Sequence, residues 1–161
     1  MTKSELTALF RKLGAPKPAE WASSQISEGI PQLARFVFLR QAWRQVVDEN
    51  DSSWIDNVIQ NSERSPEAPH AGIGHALKKL RALGAEDKDL TDFARGMQAE
   101  LLFSLCYLLD DPGEIEEEIA DLSWALVEVG PDGNVLHQIG GLHESVLSTD
   151  PTGREMRPRR K

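Results

Sequence analysis

The sequence predicts an α+β fold, mainly α: about six helices around a buried central helix near residues 89–109, with one C-terminal β-hairpin near residues 123–139. Three observations carry this reading. Apolar residues recur at helical spacing through most of the first 110 positions. Residues 101–109, Leu-Leu-Phe-Ser-Leu-Cys-Tyr-Leu-Leu, are apolar on every side of a helix, the pattern of an element packed from all directions. Two β-prone stretches, residues 124–129 and 135–139, flank Gly-Pro-Asp-Gly-Asn, which is a turn sequence.

The elements follow in order. Thr2 and Glu5 have capping-box spacing, Leu6, Leu9, Phe10 and Leu13 form one stripe, and Gly14 supplies the stop. Residues 15–18, Ala-Pro-Lys-Pro, make a stiff connector because proline restricts both itself and its predecessor. Trp21 and Ile26 fit a short helix before Gly29. Pro31 opens a second strong helix reaching about Asn50, with Leu33, Phe36, Val37, Trp43 and Val47 on a broad face. A third spans Ser53 to Asn61, capped by Asp51 or Ser52, with Trp54, Ile55, Val58 and Ile59 inward. Two prolines and two glycines within residues 65–74 mark residues 62–74 as a loop, after which a helix runs from near His75 to Gly84.

Glu86, Asp87 and Asp89 suit the positive end of the long helix that follows. Residues 114–121 read as a short acidic helix with Ile115, Ile119 and Leu122 inward. In the hairpin, Pro131 and Asp132 suit the middle of a type I turn and Gly133 the left-handed position after it. An isolated hairpin is marginal in water, so Trp124, Leu126, Val135 or Ile139 is expected to bury one face. Gly140 and Gly141 end it, and a short helix covers residues 142–147.

At 161 residues the chain is expected to form one globular domain over 1–153, followed by a disordered basic tail over 154–161. A composition of 40% hydrophobic and 27% charged residues supports a core and excludes a disordered class. No stretch approaches 18 apolar residues, and the first residues lack an apolar signal region. With a single cysteine, these features predict a cytoplasmic protein without disulfides.

The net charge of −8 is uneven. The tail holds five bases against one carboxylate, net +4, and the 153 residues before it hold 13 bases and 25 carboxylates, net −12. An acidic body opposes phosphate binding, so nucleic acid is disfavoured and a basic protein partner is favoured.

Spacing bears on four candidate chemistries. His70, His75, His143 and Glu144 have the right donors for a metal or ligand site, but the first two stand five positions apart, not at the i,i+4 step of one helical face. Gly72-Ile73-Gly74 lacks the strand and the Gly-Lys-Ser/Thr ending of a phosphate loop. Cys106, set among apolar residues, reads as inert core. Asp110, Asp111, Glu114, Glu116, Glu117, Glu118 and Asp121 form an uncompensated acidic run suited to docking a basic partner. The function expected is therefore a non-catalytic protein-interaction module with an acidic surface, inhibiting or neutralising a basic protein. The alternative is a small metal-dependent enzyme or ligand-binding domain built on the histidines. No cofactor and no membrane association are expected, and no motif supports homo-oligomerisation.

Overall fold

Thr2 opens the first helix by the reciprocal bonds its spacing calls for: Glu5 N–H donates to Thr2 Oγ1, and Thr2 N–H donates to the Glu5 carboxylate at 2.8 Å. The computed structural model describes residues 1–111, 113 and 116–159. Among these the chain is α+β and mainly α. Its elements are α1 (Lys3–Lys12), α2 (Pro18–Glu28), α3 (Gln32–Trp43), α4 (Ser53–Arg64), α5 (Ala71–Ala82), α6 (Asp87–Asp110), β1 (Val127–Val129), β2 (Val135–Gln138) and α7 (Leu142–Val146). The chain divides into two compact units, one of residues 1–44 and 101–161, the other of residues 45–100, so α6 runs through the division.

The first unit is organised around aromatic residues. Leu6 and Phe10 of α1, Ala15, Ala22 of α2 and Phe36 of α3 form a buried cluster, with Trp21 packed against it. Phe10 meets Phe36 edge-on at 5.8 Å, and Trp21 meets Phe36 at 5.6 Å. Such edge contacts add to burial because the ring edge is positive and the face negative. At the other end of α3, Trp43 is buried and its indole N–H donates to Val146 O at 2.9 Å, tying α3 to α7. Beyond α7, Asp150 accepts from Thr152 Oγ1 and from Met156 N–H, so the start of the basic tail is fastened to the turn before it.

The hairpin pairs Val127 with Gln138, Glu128 with His137 and Val129 with Val135, with an irregularity between Glu128 and Val129. Gly133 adopts φ +80° at the turn, the conformation its sequence position predicts. Ile139 is buried as expected, but Trp124 and Val135 are exposed.

The second unit packs α4 on α5 and the first part of α6. Ile55, Leu77 and Leu90 form its core, with Trp54, Val58 and Ile59 against it. Arg81 of α5 forms ion pairs with both Asp56 of α4 and Asp87 of α6.

Several sequence expectations need correction. The helix from Pro31 stops at Trp43, not near Asn50, because side chains take over the backbone bonds: Val47 N–H donates to Gln98, and Val47 O accepts from Arg95. α5 begins at Ala71, so Gly72 and Gly74 lie inside a helix, not in a loop. In the acidic segment a 3-10 turn, Glu117–Ile119, replaces the short helix, and Ile119 and Leu122 face outward. Ile115 and Glu114 lie outside the described residues.

The largest correction concerns the central helix. α6 is not buried on all sides. Thr91, Arg95, Ala99 and Cys106 are covered, whereas Phe93, Met97, Leu101, Leu105 and Leu108 are exposed. Covered positions spaced every few residues mark a helix packed on one side only. All-round apolar composition shows what a helix tolerates as neighbours and cannot supply them.

Candidate functional site

Two surfaces and one buried cluster hold the residues that the sequence singles out. The acidic run is split between outside and inside. Asp111, Glu116, Glu117, Glu118 and Asp121 are exposed. Asp110 is not a surface carboxylate, since its side chain is only 7% exposed. Its Oδ2 accepts from the His143 backbone N–H at 2.9 Å and lies 2.6 Å from His143 Nδ1. These two contacts, one to the backbone and one to the ring of His143, hold the imidazole in one orientation. Tyr107 packs edge-on against that ring at 5.0 Å.

Behind this pair lies a cation that the sequence reading missed. Arg35 of α3 is buried, and its guanidinium rests against Gly141, where an added Cβ would come within 2.8 Å of it. Gly141 also has φ +67°, so the Gly140-Gly141 break that the sequence marks as punctuation is a requirement of close packing. Burial lowers the Arg35 pKa from its ordinary value, opposed by the charges of Asp110, Glu144 and Glu28. Among the described residues, Asp110 Oδ1 and Arg35 Nε find no hydrogen-bond partner. The bond from Asp110 to His143 spans 33 residues of sequence, and no local pattern announces it.

The remaining histidines stand apart from it in organisation. His70 and His75 belong to the second unit and are exposed, His70 at φ +69° immediately before α5. His70 lines a cleft of about 230 Å³ with Val58, Ser65, Pro69 and Ile73. His143 and Glu144 belong to the first unit. Among the described residues no group of three or more His, Cys, Asp or Glu side chains could hold a metal ion. His137 pairs instead with Glu128 across the hairpin at 3.0 Å.

Cys106 is 1% exposed, and burial, reinforced by the charge of Asp110, pushes its thiol up to about 11. Native protein at pH 8 should therefore react with a thiol reagent far more slowly than unfolded protein; equal rates would refute the buried placement. The sign for stability follows. Folding favours the neutral thiol, so this contribution is complete below the ordinary thiol pKa and is lost as pH rises toward about 11.

The surface around the exposed carboxylates is unusual in what accompanies them. Every residue from 116 to 124 is exposed, and Ile119, Leu122 and Trp124 alternate there with Glu116, Glu117, Glu118 and Asp121. Trp124 is fixed by its indole N–H, which donates to Leu108 O at 2.7 Å. Val127, Val129, Val135 and Leu136 of the hairpin are exposed as well. No helix among the described residues is long and apolar enough to cross a membrane. No protein-family model, curated protein or solved structure matches this chain.

Proposed function

We propose that this protein is a non-catalytic interaction module that docks a basic protein partner on residues 116–124, and that it inhibits or neutralises that partner. One observation carries the reading: large apolar side chains are exposed among uncompensated carboxylates on a single segment. A merely solvated acidic face turns its apolar residues inward, as the sequence alone leads one to expect of Ile119 and Leu122. Here both face water. An apolar centre with a charged rim is the usual anatomy of a docking patch, in which apolar contacts supply the hold and charge supplies rate and selectivity. The partner's complementary surface would carry lysines and arginines around an apolar pocket. The net charge of −8 acts in the same direction at longer range.

The test is capture of partners by the immobilised full chain, with wild type beside Leu122→Ser. Leu122 is exposed, so its replacement should leave the thermal melt unchanged. The reading expects a basic protein to be retained by wild type and its dissociation to quicken about tenfold in the variant. Equal retention by both would remove residues 116–124 from the interface.

A further inference from the structure

Within the first unit, the segment that leaves α1, one side of α3 and the turn after α7 enclose a cleft of about 460 Å³. Small-molecule sites usually measure about 300–1,000 Å³. Two kinds of surface line it. Leu13, Pro16 and Pro151 supply apolar surface, and Arg40 and Arg44 stand one turn apart at the end of α3.

The arginines are the informative part. The chain holds 26 carboxylates against 18 lysines and arginines, so counter-charges are plentiful. Arg81 alone pairs with two of them. Among the described residues, however, the Arg40 guanidinium makes no hydrogen bond or ion pair, and Arg44 donates to the neutral Gln41 side chain at 3.0 Å. Arg40 is half-buried all the same, and a charge drawn out of water is costly until something pairs with it. The negative end of the α3 dipole favours cations here, but it accounts for neither the cleft nor the missing partners.

The rest of the lining is already engaged. The Asp150 carboxylate accepts from Thr152 N–H, from Thr152 Oγ1 and from Met156 N–H, all in its own turn. Ser148 Oγ donates to Ser145 O, and Thr149 Oγ1 donates to Val146 O. Gly14 and Gly153 N–H donate to Arg11 O and Asp150 O. Guanidinium N–H groups are therefore the principal donors left to meet a ligand.

We propose that this cleft binds a small organic anion, an apolar or aromatic body that bears a carboxylate or phosphate head. The head takes the N–H groups of Arg40 and Arg44, planar forks that match either oxyanion. The body covers Leu13, Pro16 and Pro151. An inorganic anion would leave that apolar surface wet, and a neutral ligand would leave the guanidinium groups unpaired. The chain's own tail is no substitute, because residues 154–161 carry net +4 and repel the arginines. The cleft shares no residue with the docking segment 116–124.

The experiment titrates the full chain with 2-naphthoate, 1-naphthyl phosphate, inorganic phosphate and the uncharged 2-naphthylmethanol. Binding is read by calorimetry and by the NMR signals of the arginine Nε–H groups. At least one naphthyl anion is expected to bind with a Kd of about 1 mM or tighter, which a ligand of that size can reach. Comparing the two heads separates a carboxylate site from a phosphate site. Inorganic phosphate and the alcohol should each bind at least about tenfold more weakly, since each satisfies one half of the cleft. Arg40→Gln should weaken the naphthyl anion at least about tenfold and leave the thermal melt unchanged. Should Arg40→Gln fail to fold, Arg44→Gln, at an exposed position, carries the same test. The proposal is overturned if neither naphthyl anion saturates the protein by about 10 mM. It is also overturned if the alcohol or inorganic phosphate binds as tightly as the naphthyl anions, or if a folded arginine variant binds as wild type does.

Discussion

Phe10→Ala should lower the free energy of unfolding by about 3–5 kcal/mol, the range for truncating a buried aromatic side chain. Phe10 is fully buried, and it touches Trp21 and Phe36 through ring contacts that a methyl group cannot replace. The void would open where α1, α2 and α3 meet. Leu105→Ala provides the contrast. A sequence that places residues 101–109 in the centre of the fold implies a cost of about 2–5 kcal/mol for this change. Leu105 is 47% exposed, so the expected cost in the isolated chain is under about 1 kcal/mol. Denaturant melts of the two variants at low protein concentration measure both. Similar losses would mean that α6 is packed on all sides after all.

Gly74→Ala and Gly72→Ala, two residues apart in α5, are expected to change stability in opposite directions. Replacing glycine by alanine inside a helix gains about 1 kcal/mol from the backbone alone. At Gly72 nothing lies within 4 Å of the new Cβ, so that gain should be realised. At Gly74 the Cβ would meet the Ser62 side chain and lie 2.7 Å from the Val58 carbonyl oxygen, which is helix backbone and cannot turn aside. Forcing α5 away from α4 costs about 1–3 kcal/mol or more, which outweighs the propensity gain. Thermal melts give the sign of each. A stabilised Gly74→Ala variant would contradict the close approach of the two helices.

The same two glycines show where the sequence is legible and where it is not. In residues 65–74 they read as loop punctuation beside two prolines, and periodicity alone cannot show that a neighbouring helix needs the missing Cβ. Local signals fare better. The Thr2–Glu5 capping box, the glycine after α1 and the left-handed Gly133 are all decided within a few residues, and all stand as the sequence predicts. The hairpin stands too, in a shorter form.

Burial is where the sequence misleads, because burial depends on what else the chain brings near. Residues 101–109 and Ile119 and Leu122 are apolar enough for a core and lie largely outside one. Conversely Asp110, counted among surface carboxylates, is enclosed by its bonds to His143, and Arg35, a charge that hydropathy alone would leave at the surface, is buried against Gly141. Both errors have one origin. Hydropathy ranks side chains singly, whereas a buried charge is stabilised by neighbours that are distant in sequence.

The claim that this protein works by docking a basic partner on residues 116–124 is tested most directly by the association rate of the captured partner. Wild type is to be compared with the combined Glu116→Gln, Glu117→Gln and Glu118→Gln variant across a range of salt concentrations. All three carboxylates are exposed, so the fold should be unaffected. The account predicts that the variant associates about tenfold more slowly at low salt and that the two rates converge as salt is raised. Equal rates at low salt would contradict it.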